Sequence, residues 1–468
     1  MKTNRILLGI GFAVGCLSAS AEPFHDGDTV VFFGDSITHG GLYHDYLSDY
    51  YRTRFPEARI RFVNSGIGGD TAAGALKRIP EDVAEYAPTH VTFHFGMNDV
   101  LRGCYLPRTD SKTLLSRAKA QANYRQNLQR LVAAVRQAVP TAKFTYLTPT
   151  PYDDTAVVTN APKSGWASYN NVGCRTALSL MAGHVIDCAE RDHADWVDWF
   201  SPLSNSMLLH QRQDPHFSYT RPDRVHPEEL GHSVMAWEFL KRQGAPAVVS
   251  AVEIAVKGGA VAATAENAAV SEVSGDARGV RFALLAKALP LPVHAKALGV
   301  VEEFAVEEKL NLETVKVTGL ASGRYSLLID GAEVGRYDSS ELAAGVRLGF
   351  NPKTPQYRQA QEVARRNREL WERERVLRNH HSARWCYYGR APVDDIPALK
   401  QWYADDLAKG GREAKSYFGG FMPGYIEYWP KYREVRAELW RDQEAVRALA
   451  RPVTHRYEVI EVGTAKGK

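Results

Sequence analysis

The sequence predicts an α/β fold: a three-layer α/β/α unit with a mainly parallel five-stranded sheet, followed by a small β-rich module and a mainly helical C-terminal region. Three observations carry this expectation. Between Thr29 and about Gln243 the strand-like runs "TVVFFG", "IRFVN", "HVTFHFG", "KFTYLTP" and "WVDWF" alternate with helical stretches. Strands separated by helices imply crossover connections and a parallel sheet covered on both faces. After "RQGAPAVVSAVEI" short β-rich runs follow one another, punctuated by Gly and Asp. From "NPKTPQ" the pattern changes again, to an apolar stripe at helical spacing.

Taken in order, the 468 residues divide into four parts. Lys2 and Arg5 precede the apolar run Ile6 to Leu17, and Ala19 and Ala21 supply small residues where a signal peptidase cuts. Residues 1–21 therefore read as a cleaved signal peptide, with a lipoprotein signal ending at Cys16 as the weaker alternative. The expected location is periplasmic or secreted, and no later run is apolar for long enough to be an integral membrane segment. Residues 22–245 form the α/β unit, in which Tyr124, Leu128, Leu131, Val132 and Val135 mark one helix. Residues 250–350 form the β-rich module, read as mainly antiparallel. In 351–468, Tyr357, Ala360, Val363, Ala364, Leu370, Trp371 and Leu377 make an apolar stripe. Around it "RRNRELWERER" reads as a solvated charged face. "HRYEVIEV" reads as a final strand that returns to the β module.

Composition excludes several classes of function. Two of the +4 formal charges lie in the leader, and acids and bases are interspersed in what remains. The mature chain therefore has no electrostatic footprint for nucleic acid. Its four cysteines, Cys104, Cys174, Cys188 and Cys386, are too few for a disulfide scaffold in a chain of this length. If Cys174 and Cys188 share a helix, about 21 Å separates them, beyond bridging distance. No HExxH or paired-cysteine motif marks a metal site, and "GIGGD" lacks the third glycine of a dinucleotide loop. The expectation is no metal and no cofactor.

Four blocks fall at strand ends: "GDS" with Ser36, "NSGIGGDT" with Gly69, "FGMND" with Asn98, and "DRVHPEELGH" with Asp223 and His226. Ligands of α/β sheets bind beyond the carboxyl ends of the strands, so all four blocks converge on one edge. Asp and Ser after a strand are also ordinary turn and N-cap residues. Together, though, a hydroxyl, a glycine N–H, a neutral amide and an Asp/His pair are the parts needed for acyl transfer through a tetrahedral oxyanion. Gly69 lets a backbone N–H approach a ligand, Asn98 donates without charge, and Pro227 biases His226 away from helix.

These blocks resemble, in order, those of the SGNH, or GDSL, hydrolase superfamily of esterases and acylhydrolases. The resemblance spans about half the chain. It implies a flavodoxin-like SGNH fold, with Ser36 as nucleophile, His226 as general base and Asp223 orienting the imidazole. The oxyanion donors it implies are the N–H of Ser36, the N–H of Gly69 and the amide of Asn98. Taken with the leader and the tail aromatics, it implies an exported serine esterase acting on short acyl esters, O-acetyl groups of a carbohydrate first. A lipid or thioester acylhydrolase is the rival within the class, and a catalytically silent carbohydrate-binding or cell-surface module the rival outside it.

Three further expectations concern the substrate. In the "TPTPYDD" loop, Tyr152 and Asp153 are candidates to contact a substrate hydroxyl, with turn structure as the alternative. His44, Asp45, Ser48 and Asp49, with Arg102, Arg108 and Asp110, read as a polar lining that leaves no apolar slot for a long acyl chain. The tail aromatics, Tyr417 to Tyr432, stack on sugar faces or pack a core. His39, His44, His90, His94, His216 and His232 read as capping, packing or supporting residues.

Overall fold

Strand β1 (Thr29–Gly34) is buried along its whole length, as a strand covered on both faces must be. The computed structural model to which it belongs describes residues 21–106 and 110–462; the leader before Ala21 and Arg108 lie outside the described residues. After β1 come α1 (Ser36–Gly40), α2 (Tyr43–Arg54), β2 (Arg61–Gly66), α3 (Ile79–Asp82) and β3 (His90–His94). They are followed by α4 (Ser111–Ala138), β4 (Lys143–Leu147), α5 (Cys174–Arg191), β5 (Asp195–Val197), α6 (Phe200–His210) and α7 (Glu229–Arg242). The five strands form one sheet in the order β2-β1-β3-β4-β5, every pair parallel. Helices α2 and α7 pack together, as do α4 and α5, and these pairs cover the two faces. Asp110 caps α4 by accepting the N–H of Thr113 at 2.7 Å. Cys174 and Cys188 lie near opposite ends of α5, and all four described cysteines are free thiols.

The next strands are β6 (Val248–Lys257), β7 (Ala260–Glu266), β8 (Ala268–Asp276) and β9 (Gly279–Ala286). After α8 (Val306–Leu310) come β10 (Leu312–Thr318), β11 (Arg324–Ile329), β12 (Ala332–Asp338), α9 (Ser339–Ala344) and β13 (Val346–Arg347). They build two sheets, β13-β10-β6-β7 and β12-β11-β14-β9-β8, where β14 (His455–Glu461) is the last strand of the chain. Pairing is antiparallel except between β6 and β10. Val252, Ile254 and Val317 of one sheet share a core with Phe282, Leu327 and Val459 of the other. The segment between β9 and β10 behaves differently: Leu291, Val293, Val300, Phe304 and Leu310 bury into the core of the parallel-sheet unit.

Helices α10 (Pro355–Tyr387), α11 (Ile396–Ala408), α12 (Met422–Tyr428) and α13 (Tyr432–Leu449) complete the chain. Helix α10 packs on α2 and on β2, the edge strand of the parallel sheet. An edge strand carries unpaired backbone groups that would recruit another strand. Here side chains occupy them. Gln443 of α13 donates to the carbonyl of Phe62 at 3.0 Å and accepts its N–H at 3.4 Å, while Glu374 of α10 accepts the N–H of Asn64 at 3.1 Å. Among the described residues no helix is long and apolar enough to cross a membrane.

Candidate active site

Ser36 is the first residue of α1, directly after Asp35, whose carboxylate caps the helix by accepting the N–H of Ile37 at 3.0 Å. The cap fixes where the serine stands, at the carboxyl end of β1. Burial pushes the Asp35 carboxyl up to about 7, and Asp99, which accepts the N–H of Ala72, is also pushed up to about 7 by burial.

His226 Nε2 lies 2.8 Å from Ser36 Oγ, and its Nδ1 lies 2.7 Å from Asp223 Oδ2. A carboxylate only accepts, so Asp223 places the ring proton on Nδ1 and leaves Nε2 to accept the serine proton. Burial alone would raise the Asp223 carboxyl. The hydrogen bond and charge of His226, with the N–H groups of His226 and Val225, outweigh burial and hold it below the ordinary range. The turn that makes this possible passes through Arg224 at φ 66, which lets Asp223 Oδ1 accept the N–H of Val225 at 2.9 Å and of His226 at 3.0 Å.

The second block folds against the first. A Cβ on Gly66 would lie 2.1 Å from the backbone nitrogen of His39, so only glycine allows β2 to end this close to α1. Gly69 has open space around it but a φ of +75, so it serves conformation rather than room. Asn98 donates through Nδ2 to the carbonyl of Asp70 at 2.8 Å, tying the third block beside Gly69 and leaving its second amide hydrogen for another acceptor. Arg78, fully buried, holds the blocks together: it donates to Gly34 O at 2.8 Å, Ser65 O at 2.6 Å and Asp70 Oδ2 at 2.7 Å.

Tyr152 and Asp153 are not placed to contact a substrate. Both are buried, and their bonds stay inside the protein. Tyr152 Oη accepts the N–H of Asn171, and the Asp153 carboxylate accepts from Ala156 N, Ser218 Oγ and Gln211 Nε2. The loop instead braces the Asp223–His226 turn, because Arg224 Nη1 donates to Asp153 O and Ala156 O, each at 2.9 Å, and Arg224 O accepts the N–H of Asp153. His44, Asp45, Ser48 and Asp49 are buried beneath α10, so they line no cleft. Asn367 Nδ2 donates to Asp45 Oδ1 and Asp49 Oδ1, both at 2.7 Å, and Arg368 pairs with Asp45. Within "RRNRELWERER", Asn367 is therefore buried and Arg368 and Glu374 are half-buried, while Arg365, Arg366, Glu369, Glu372, Arg373 and Arg375 stay exposed. Burial holds His39 and His94 down to about 3 and His44 to about 4, and keeps His232 well below the ordinary range, so these rings stay neutral.

Two hollows open at the site, one at Ser36 and one at Asn98. A cleft of about 380 Å³ contains Ser36 and His226 and has α10 as its far wall, with Glu372, Arg375, Asn379 and, from the loop beyond α11, Tyr417. An open hollow on the Asn98 side is lined by Leu101, Leu106 and Tyr169 with Arg102 and Asn171. The sequence located neither wall: the charges of α10 read as a solvated face, Tyr417 as one of the tail aromatics that stack on sugar faces or pack a core, and Leu101 and Leu106 are single apolar residues in a polar loop. Among the described residues no group of His, Cys, Asp or Glu is arranged to hold a metal ion.

Residues 32–234 match the GDSL-like lipase/acylhydrolase family. An acetylxylan esterase of Geobacillus stearothermophilus is 27% identical over 233 residues, which cover 47% of this chain and 94% of that protein. Esterase TesA of Pseudomonas aeruginosa is 51% identical over 43 residues, 9% of this chain and 21% of that protein. The solved structure of a gut microbial diltiazem-metabolizing enzyme is 28% identical and superposes with a TM-score of 0.82, covering 95% of this chain and 100% of the other.

Proposed function

Because residues 32–234 make this chain a member of the GDSL-like lipase/acylhydrolase family, and with it a carboxylic ester hydrolase, we propose that it removes short acyl groups, O-acetyl first, from a carbohydrate through an acyl-enzyme intermediate. The observation that carries the mechanism is the chain Ser36 Oγ, His226 Nε2, His226 Nδ1, Asp223 Oδ2, with both links under 3 Å. His226 Nε2 takes the Ser36 proton as Oγ attacks the ester carbonyl. The oxyanion that forms is held by the N–H of Ser36, which at the start of a helix has no intrahelical acceptor, the N–H of Gly69 and the free amide hydrogen of Asn98. The imidazolium then protonates the leaving alcohol. Water attacks the acyl-serine in the second half, giving its proton to His226, and the carboxylic acid departs as Ser36 is restored.

The short-acyl preference is supported by the shape of the Asn98-side hollow. Leu101 is 49% exposed and Tyr169 55%, so water stays on the surface that a longer chain would touch. A methylene gains its roughly 0.8 kcal/mol only where water is expelled. The same hollow, the apolar slot that the sequence does not reveal, favours the second reading of a lipid or thioester acylhydrolase. The kcat/KM series over p-nitrophenyl acetate, butyrate and octanoate separates the two: a steep fall with length is expected, and a rise would replace the first reading by the second. Export is also part of the proposal and rests on the leader-like residues 1–21. N-terminal sequencing of protein recovered outside the cytoplasm checks it, with a chain beginning after the leader expected.

A further inference from the structure

We propose that the C-terminal helix α10 and the Tyr417 loop form the binding site for the leaving alcohol, and that this site is built for a hydroxyl-rich ring. The inference rests on the esterase reading above and adds which part of the chain selects the alcohol.

Its first premise is geometric. In the acylation step His226 gives the proton on Nε2 to the departing oxygen, so the alcohol lies beside His226 while the carbonyl oxygen faces Gly69 and Asn98. Ser36 and His226 share a cleft that Asn98 does not line; Asn98 lines a separate hollow that neither of them lines. The cleft with His226 therefore takes the alcohol, and the hollow lies on the acyl side.

The second premise is the construction of α10. Arg368, Glu372, Arg375 and Asn379 follow one another by four, three and four residues, so they form a single stripe on the helix, and all four line the cleft. The adjacent stripe, Asn367, Trp371, Glu374 and Arg378, is the one that anchors the helix: Trp371 Nε1 donates to Ser48 Oγ at 3.1 Å, and Arg378 donates to Gly66 O at 2.8 Å and to Asp82. The cleft wall is thus held on a rigid element, one residue away from buried anchors.

The third premise is the chemistry of the wall. Glu372 and Arg375 pair with each other and keep further donor and acceptor capacity toward the cleft, and Asn379 adds an amide. Arg221, on the turn before His226, lines the same cleft with no carboxylate partner among the described residues. Tyr417 is 73% exposed yet held by edge-to-face contacts with Phe418 at 5.1 Å and Phe421 at 5.2 Å. A fixed, exposed ring beside a set of polar groups suits the apolar face and the hydroxyl rim of a sugar.

The test compares kcat/KM for an acetylated xylo-oligosaccharide with that for p-nitrophenyl acetate, in wild type, Tyr417→Ala and Arg375→Ala, with Tyr417→Phe as the variant that keeps the ring. The ratio of the two is expected to fall about tenfold in Tyr417→Ala and to be preserved in Tyr417→Phe. Unacetylated xylo-oligosaccharide should also inhibit p-nitrophenyl acetate hydrolysis less well in both alanine variants. An unchanged ratio with unchanged inhibition, in a wild type that does deacetylate the sugar, overturns this inference and leaves the esterase reading intact. A wild type that turns over p-nitrophenyl acetate but neither cleaves any acetylated sugar nor is inhibited by the free sugar overturns the carbohydrate reading and this inference together.

Discussion

Asp35 sets the position of Ser36 by capping α1, and the turn through Arg224 sets His226 against it; the two side chains to which the proposed mechanism assigns the proton transfer are each placed by a neighbour. Ser36→Ala should abolish turnover of p-nitrophenyl acetate, measured beside a wild type of equal melting temperature. Asn98→Ala should cost about 10² to 10³ in kcat with KM little changed, as for the loss of one oxyanion donor. A raised KM at constant kcat would make Asn98 a ground-state binding residue instead. Glu374 carries a prediction about pH. Burial pushes its carboxyl up to about 7, so the proton is bound more tightly in the folded state than in the unfolded chain. Its stabilising contribution is complete below the ordinary glutamate range and is lost as pH rises through 7. Glu374→Gln keeps the acceptor for Asn64 N–H and should leave stability nearly unchanged at pH 5 while raising it by roughly 1–3 kcal/mol at pH 8. Urea titrations at the two pH values check this; equal effects at both would mean that Glu374 does not titrate on unfolding. That Ser36, Asp223 and His226 meet, and that Asn98 lies beside Gly69, was legible because each lies in a short block at a strand end. The places of Tyr152 and Asp153 were not, because a sequence shows that a loop borders the cleft but not that Ser218 and Gln211 consume its carboxylate from within.

Helix α10 shows the same limit one level up. Its apolar stripe was legible, and Tyr357, Ala360, Val363, Leu370 and Trp371 are buried as the helical period requires. Most charges of "RRNRELWERER" are solvated as read, with Arg365, Arg366, Glu369, Glu372, Arg373 and Arg375 exposed; what the sequence did not show is that Asn367, Arg368 and Glu374, and Arg378 just beyond, meet partners on α2, β2 and α3 that lie some 300 positions away in the chain. Charged residues become buried only when paired, and pairing over that separation has no local signature. Arg378 is the strongest of these contacts. It meets both oxygens of Asp82 and the carbonyl of Gly66, and the charge of Arg378 and Arg78 keeps the Asp82 carboxyl well below the ordinary range against the pull of burial. Arg378→Ala removes one side of a buried pair and should destabilise the protein by about 3–5 kcal/mol in chemical denaturation. A loss below about 1 kcal/mol would place the pair in effective contact with solvent.

The α/β unit, the β module and the C-terminal helices form one working molecule. The order of strands and helices foretold the parallel sheet, and the change of pattern near residue 250 foretold the β-rich part. The final strand was read as returning to the β module, and β14 does so; what the sequence did not show is that it enters the middle of a five-stranded sheet, between β11 and β9. Cutting the chain after residue 350 removes that central strand, the cover of the β2 edge and the α10 wall of the cleft. The truncated protein should aggregate, since it exposes both an apolar face and an unpaired strand edge; a monodisperse, fully active product on gel filtration would show that the tail neither supports the core nor shapes the site. The central claim is that Ser36 carries the acyl group between two half-reactions. It is tested most directly by quenching the enzyme in acid during p-nitrophenyl acetate turnover and mapping the modified peptide by mass spectrometry. Turnover through an acyl-serine puts an acetyl group on Ser36 in wild type and none in Ser36→Ala; acetyl on a different residue, or turnover that persists in Ser36→Ala, would contradict that mechanism.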